Sequence, residues 1–230
     1  MKVYSIVLKN DVTSEKGFST LVDSSHRVKN EFEIERFDAT HAKNVIQQFK
    51  LLKVDWTWPW IGTQLCFKTG LQMSAYQTED PNKRVACFMS HYRLWLTAVE
   101  NDETILVLEH DAIFTEKLPS DFNMQGFNIV GINNPIGATR KSREFHNSII
   151  HREDAVQNVP MIDGWNIPQG LAGNSAYIIN PQGAKDLIDK VNEIGAWPND
   201  ALMCYQNIKK MGVSKQYYTQ VQGLPSTTTL

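Results

Sequence analysis

Residues 104–111 read Thr-Ile-Leu-Val-Leu-Glu-His-Asp, an apolar run that stops in two carboxylates one residue apart. A short continuous apolar run fits a strand buried on both faces, the habit of parallel sheets packed between helices. Glu109 and Asp111 would then stand at the carboxyl end of that strand, where α/β sheets open their ligand crevice. A carboxylate beside an apolar core is costly unless a cation or hydrogen bonds compensate it. The spacing alone leaves two readings: an ordinary strand end with solvated acids, or a seat for a divalent metal carrying a diphosphate.

The flanking sequence alternates strand and helix patterns. Residues 4–8 read as a buried strand broken by Lys9-Asn10-Asp11, and Phe18, Leu21, Val22 and Val28 follow at helical spacing. Strict alternation over 32–37 then predicts a half-exposed strand, which completes a β-α-β unit. Thr40 is placed to N-cap a helix that carries Val45, Ile46, Phe49 and Leu52. Asp80-Pro81-Asn82 opens a helix striped by Val85, Phe88, Leu94, Trp95 and Val99, which ends at Asn101-Asp102. Ala112-Ile113-Phe114 extends the apolar character past the acids, and residues 127–132 form another buried strand pattern. Residues 170–180 pass from a glycine-bearing loop into a strand, and Pro181 opens a helix through Val191. Asn199-Asp200 begins a last helix with Leu202, Met203, Ile208 and Met211 apolar and Gly212 past its end. The Ser226-Thr227-Thr228-Thr229 tail reads as frayed.

Two segments break the pattern. Residues 55–80 lose periodicity and open with Asp55-Trp56-Thr57-Trp58-Pro59-Trp60, which suits either a functional aromatic loop that stacks on sugar rings or a satellite tryptophan core. Residues 137–161 are polar and turn-rich through Gln157 and are expected to form a lid.

At 230 residues the chain suits one domain, and 42% hydrophobic with 21% charged residues is ordinary globular composition. A net charge of −2 gives no support to broad nucleic-acid attraction. The apolar stretch at the N-terminus is too short for a secretory signal, and no run approaches the ~18 apolar residues of a membrane span, so a cytoplasmic location is expected. Cys66, Cys87 and Cys204 are odd in number and far apart, which favours reduced, structural thiols.

The block Cys87-Phe88-Met89-Ser90-His91-Tyr92-Arg93-Leu94-Trp95, followed at a helix length by Ile105-Leu106-Val107-Leu108-Glu109-His110-Asp111, resembles glycosyltransferase family 25, the lipooligosaccharide and collagen-type galactosyltransferases. Val3 to Leu8, Glu35-Arg36-Phe37-Asp38-Ala39, Gly173-Asn174-Ser175-Ala176-Tyr177-Ile178-Ile179, Gly183-Ala184-Lys185 and Pro198-Asn199-Asp200 agree with it in order. The resemblance spans roughly residues 3–40 and 83–205. It implies a single GT-A-type, Rossmann-like α/β domain over 1–230, with a mixed, mostly parallel sheet flanked by helices. It also implies hexose transfer from a nucleotide-sugar donor, UDP-hexose by expectation, to a hydroxyl of a glycan or other acceptor. Mn2+ or Mg2+ would be the cofactor, lipopolysaccharide biosynthesis the setting, and Glu109 and Asp111 match the metal-binding acids.

The chain departs from the family pattern in three places. His110 replaces the middle acid of Glu-Asp-Asp and, by strand alternation, should point away from the metal. Lys83-Arg84-Val85-Ala86 stands where the family carries Gly-Glu-x-Gly, adding two cations. Ser14-Glu15-Lys16 lies near the place of an Arg-Arg pair.

An inverting transfer needs a base on the acceptor hydroxyl, for which Asp200 comes first and Asp163 second. Ser90 and His91 either face the donor or are satisfied core groups, and Lys9 and Asn10 either meet nucleobase and phosphates or form an exposed loop. His110 joins the donor set by position, and Trp58, Trp60 and Trp165 are the candidates for stacking on the acceptor. Two other readings remain: a non-catalytic nucleotide-sugar or glycan-binding module, and a viral-type sugar transferase acting on modified DNA bases.

Overall fold

A computed structural model describes residues 1–225 and Thr227; the tail expected to fray lies outside the described residues apart from Thr227. The elements run β1 (Lys2–Val7), α1 (Val12–Arg27), β2 (Glu35–Asp38), α2 (Val45–Leu52), β3 (Thr63–Leu65), β4 (Gln72–Ser74) and α3 (Pro81–Glu100). They continue with β5 (Ile105–Glu109), β6 (Ala112–Phe114), β7 (Ile129–Gly131), α4 (Ser142–Ile150) and β8 (Val156–Asn158). The chain then forms β9 (Ala176–Ile179), α5 (Pro181–Ile194), α6 (Asn199–Leu202), β10 (Met211–Ser214) and β11 (Thr219–Val221).

Seven strands form the main sheet in the order β2-β1-β5-β9-β7-β10-β8. Strands β2, β1, β5, β7 and β10 share one direction, whereas β9 and the edge strand β8 run against their neighbours. The sheet is therefore mixed and mostly parallel, as expected. Alternate residues feed two cores, as the two-residue period of a strand requires. Tyr4, Ile6, Ile105, Val107, Tyr177 and Ile179 pack with Phe88 and Trp95 of α3 and Leu187 of α5, whereas Val3, Leu106, Leu108, Val130 and Ile178 pack with Leu21 of α1 and Phe114.

Local chemistry sets the helix starts. The Asp11 carboxylate accepts from Ser14 N at 2.8 Å at α1, and Asn180 caps α5, where Pro181 fills the first turn. For α3, Asp80 accepts from Asn82 N at 2.9 Å, and Pro81 again needs no intrahelical donor.

Two expectations need correction, and two segments take definite form. Thr40 does not cap α2: its N–H donates to Ser90 Oγ and its hydroxyl to Gln48 Oε1, both at 2.9 Å, and a short 3-10 turn at Ala42–Asn44 leads into the helix instead. The last helix is short, and residues 211–214 form a fully buried strand. Gly212 therefore serves a close approach, since a Cβ there would lie 2.8 Å from Gln157 O and 3.0 Å from the Phe127 ring. Residues 55–80 contain the β3–β4 hairpin and bury Trp58, so the segment is a built satellite of the core rather than an open loop. The stretch expected to form a lid carries α4, whose Phe145 and Ile149 are anchored in the core.

Candidate active site

The carboxyl ends of β1 and β5, the first half of α3, the β2–α2 connection and the start of α6 surround a crevice of about 800 Å3. Glu109 is the last residue of β5, and His110-Asp111 form the tight turn into β6. His110 also borders the crevice, but its ring packs toward α1, where a Cβ on Gly17 would lie 3.1 Å from its Cδ2, whereas Glu109 turns to His91 of α3. Gln222 pins this turn: its N–H donates to Asp111 O at 2.7 Å, and its amide nitrogen lies 2.9, 3.0 and 2.9 Å from the carbonyls of Gly17, His110 and Ala112. Gly17 admits the same turn, because a Cβ on it would stand 2.7 Å from His110 O.

Behind Glu109 runs a buried chain of hydrogen bonds. Trp95 Nε1 donates to Tyr177 Oη at 2.9 Å, Tyr177 Oη lies 3.0 Å from His91 Nδ1, and His91 Nε2 lies 3.0 Å from Glu109 Oε1. Because the hydroxyl already accepts from the indole, its own proton goes to Nδ1. Nε2 then carries the imidazole proton and donates to Glu109. Burial works to raise the Glu109 pKa, but the His91 bond and the His91 and His110 imidazoles outweigh it and hold the carboxyl below its ordinary value.

Asp111 is the opposite case. Its Oδ1 is buried with no hydrogen-bond partner among the described residues, and burial, helped by the Glu109 charge, lifts its pKa to about 7. An ionised carboxylate oriented by His91, beside a second acid whose buried oxygen has its lone pairs unengaged, is a donor set suited to a hard divalent cation. Cys87 Sγ, His91 and Glu109 also bring ligand atoms within 4.8 Å of one another. Burial, then the Glu109 and Asp200 charges, keeps Cys87 well above the usual thiol range, so it remains a neutral SH.

Asp200 opens α6 at another wall of the crevice. Tyr76 Oη donates to Asp200 Oδ2 at 3.3 Å, and the Arg84 guanidinium lies 4.6 Å over the Tyr76 ring. The surrounding protein raises the Asp200 pKa, with Arg84 and the Tyr76 hydroxyl pulling against it. Helical spacing explains why Arg84, Cys87 and His91 reach one crevice, since residues three and four apart share a face. Gly170 lets its loop meet α6: a Cβ there would lie 2.4 Å from Asp200 O.

The crevice gathers Ser90, His91, Glu109, His110, Asp111 and Asp200 from the sequence candidates, together with Lys83 and Arg84. Ser90 borders it with its hydroxyl engaged, accepting from Thr40 N and donating to Ala86 O at 2.8 Å. Lys9 and Asn10 are exposed and lie outside the lining, where Leu8, Asp11 and Thr13 take their place. Asp163 lies outside it too, bound to the Lys141 ammonium. Trp58 is 4% exposed, stacked with Tyr76 and met edge-on by Trp197, so its ring is unavailable for an acceptor. Trp60 stacks on Trp56 at 5.2 Å beside a second cavity, and Trp165 is an exposed ring near Lys209 Nζ; neither borders the crevice. Sequence reasoning missed Tyr76 and Gln222, which reach the site from distant segments without a motif of their own. From residues 137–161, Ala138 and Thr139 border the crevice.

Among the described residues no helix is long and apolar enough to cross a membrane. No curated protein matches the chain in sequence. Among solved structures, mouse xyloside xylosyltransferase 1 in its apo form shares 11% identity, with 90% of this chain and 80% of that chain covered and a TM-score of 0.39. The family model for glycosyltransferase family 25 (LPS biosynthesis protein) matches residues 2–203, a span that holds both acidic walls of the crevice and the chain of hydrogen bonds behind Glu109. The chain belongs to glycosyltransferase family 25.

Proposed function

We propose that this glycosyltransferase moves a hexose from a nucleotide-sugar donor, UDP-hexose by preference, to an acceptor hydroxyl with inversion and with the help of Mn2+ or Mg2+. The observation that carries the reading is the buried, unpartnered Asp111 oxygen next to a Glu109 that His91 holds ionised. Glu109 and Asp111 would hold the cation. When bound, it supplies positive charge that offsets the charge building on the leaving diphosphate.

The chain's own residues do the remaining work. His91, fixed by Tyr177 and Trp95, keeps Glu109 oriented and charged. Asp200 accepts the proton of the attacking hydroxyl, and its raised pKa makes it a stronger base than an ordinary aspartate. Tyr76 holds Asp200 through Oδ2, which leaves Oδ1 for the acceptor.

The test is release of nucleoside diphosphate from a panel of nucleotide sugars, with and without Mn2+. Wild-type protein is expected to turn over a donor only with the cation, and Asp111→Ala to lose that turnover. His110 in place of a middle acid motivates a second reading, a binding module without catalysis. That reading predicts nucleotide binding with no cation-dependent turnover in either protein. Transfer to modified DNA bases draws no support from the net charge of −2 and requires DNA binding at low salt.

A further inference from the structure

Arg84 stands in the crevice wall outside every ion pair among the described residues. Its Nε is buried without a hydrogen-bond partner. It is nonetheless well placed. The guanidinium is held 4.6 Å over the Tyr76 ring, and Trp58 in turn stacks on Tyr76 with ring centres 5.8 Å apart. A flat cation fixed on an aromatic face with donors left over is an oxyanion receptor, because its fork of N–H groups matches the two oxygens of a carboxylate or phosphate.

Its position indicates which substrate would carry that anion. Arg84 and Asp200 share Tyr76: the cation lies over the ring, and the carboxylate accepts from the hydroxyl. The Arg84 charge also acts on Asp200, which it draws toward its ionised form. Through the shared Tyr76 the arginine is tied to the proposed base. The Lys83-Arg84 pair also reverses charge where the family pattern carries an acid, so this feature is the chain's own.

We propose that Arg84 is a specificity-determining residue that selects an acceptor bearing a carboxylate or phosphate near its reacting hydroxyl. The proposal rests on the reading of Asp200 as the base. An unpaired buried N–H is costly, and an acceptor oxygen would satisfy it, whereas a neutral sugar would leave the guanidinium with a weaker partner.

The experiment uses the full chain with Mn2+ and UDP. It measures binding of matched oligosaccharides that differ only in one residue: neutral hexose, hexuronate or hexose 6-phosphate. An anionic arm is expected to bind about 10- to 100-fold tighter than the neutral one, the worth of a charge-assisted hydrogen bond. Whichever of the two arms leads identifies the anion as carboxylate or phosphate. Arg84→Gln should erase the preference, Arg84→Lys should restore part of it, and the acid limb of turnover should move to higher pH in Arg84→Gln as Asp200 loses its neighbouring cation. Equal binding of all arms, no binding in the anionic arms, or a preference that survives Arg84→Gln overturns the proposal. So does a loss of UDP affinity in Arg84→Gln with acceptor discrimination intact, which would assign the arginine to the donor. Failure of wild-type protein to bind UDP with Mn2+ would instead sink the transferase reading itself.

Discussion

The crevice at the end of β5 and the tryptophan-rich segment after α2 both collect unusual side chains, but they treat polar atoms in opposite ways. In and against the tryptophan segment the packed indoles find acceptors: Trp56 Nε1 donates to Trp58 O, Trp58 Nε1 to Ser74 O, and the neighbouring Trp197 Nε1 to Thr57 Oγ1, each at 3.0 Å. Around the crevice, Asp111 Oδ1, Arg84 Nε and Asn174 Oδ1 are buried without partners among the described residues. Satisfied polar groups close a structure, whereas unsatisfied ones leave a cost that a ligand can remove. Single unpartnered atoms also occur at Ser5, Gln157, Ser175 and Asn207, so it is the grouping of three around one crevice, two of them on charged side chains, that marks a functional use.

The largest effect is expected at Asp200. Asp200→Asn keeps the shape of the side chain and removes the proton acceptor, so turnover should fall by about 10²- to 10⁴-fold with donor affinity retained. The wild-type pH profile carries its own check. The raised Asp200 pKa means the base is lost as pH falls through a value above the ordinary aspartate range, so the acid limb should lie higher than that of a solvated carboxylate. An Asp200→Asn enzyme with undiminished turnover would remove the crevice's claim to catalysis.

Asp111→Asn comes next, with turnover expected to fall by about 10²- to 10³-fold. Stability should move the other way. The folded pKa of about 7 lies above the unfolded value near 3.8, so the native state binds the extra proton in that window and stability declines as pH rises through it. Without added cation, the amide should therefore raise the melting temperature above pH 7, by an amount on the order of 2 kcal/mol of stability, and change little at pH 4. A variant less stable at both pH values would show Asp111 to be an ordinary structural acid.

Trp58 supplies the reverse test from the other region. Trp58→Ala should cost about 3–5 kcal/mol in denaturant unfolding, because it empties a filled aromatic site between Tyr76 and Trp197. Trp165→Ala, at an exposed ring, should stay within about 0.5 kcal/mol. If Trp58→Ala instead folded normally and lost acceptor binding, the two regions would not differ in kind.

How far the sequence could be read follows the same physics. The β5 run, its two acids and α3 were legible because burial, spacing and capping are local properties of a few neighbouring residues. His110 lies one residue past the end of β5, and its ring packs on Gly17 of α1, on the other side from the His91 that meets Glu109. Residues 203–214 were misread because Met211 and Gly212 fit a helix end as readily as a buried strand, and only Gln157 and Phe127 packing against Gly212 decides between them. Tyr76 and Gln222 were invisible for a related reason: each acts through a contact more than 100 residues away in sequence, and no local pattern marks such a residue.

The smallest effect is the most informative about how the crevice is held. Tyr177→Phe removes only the hydroxyl that accepts from Trp95 and serves His91 Nδ1. Without it the imidazole loses its partner at Nδ1 and is held only by Glu109, whose acceptor-only carboxylate keeps the proton on Nε2 but no longer meets a ring anchored from behind. Glu109 would then keep its donor but be aimed less firmly. Cation affinity, followed by the electron spin resonance signal of free Mn2+, should weaken by about tenfold, the usual scale for groups that orient a metal ligand. Trp95→Phe removes the indole donor but leaves the Tyr177–His91–Glu109 links, so it should destabilise the fold with less change in Mn2+ affinity. A Tyr177→Phe protein that is less stable but binds Mn2+ as tightly as wild type would place this chain of bonds with the tryptophan segment, as packing that happens to border a site.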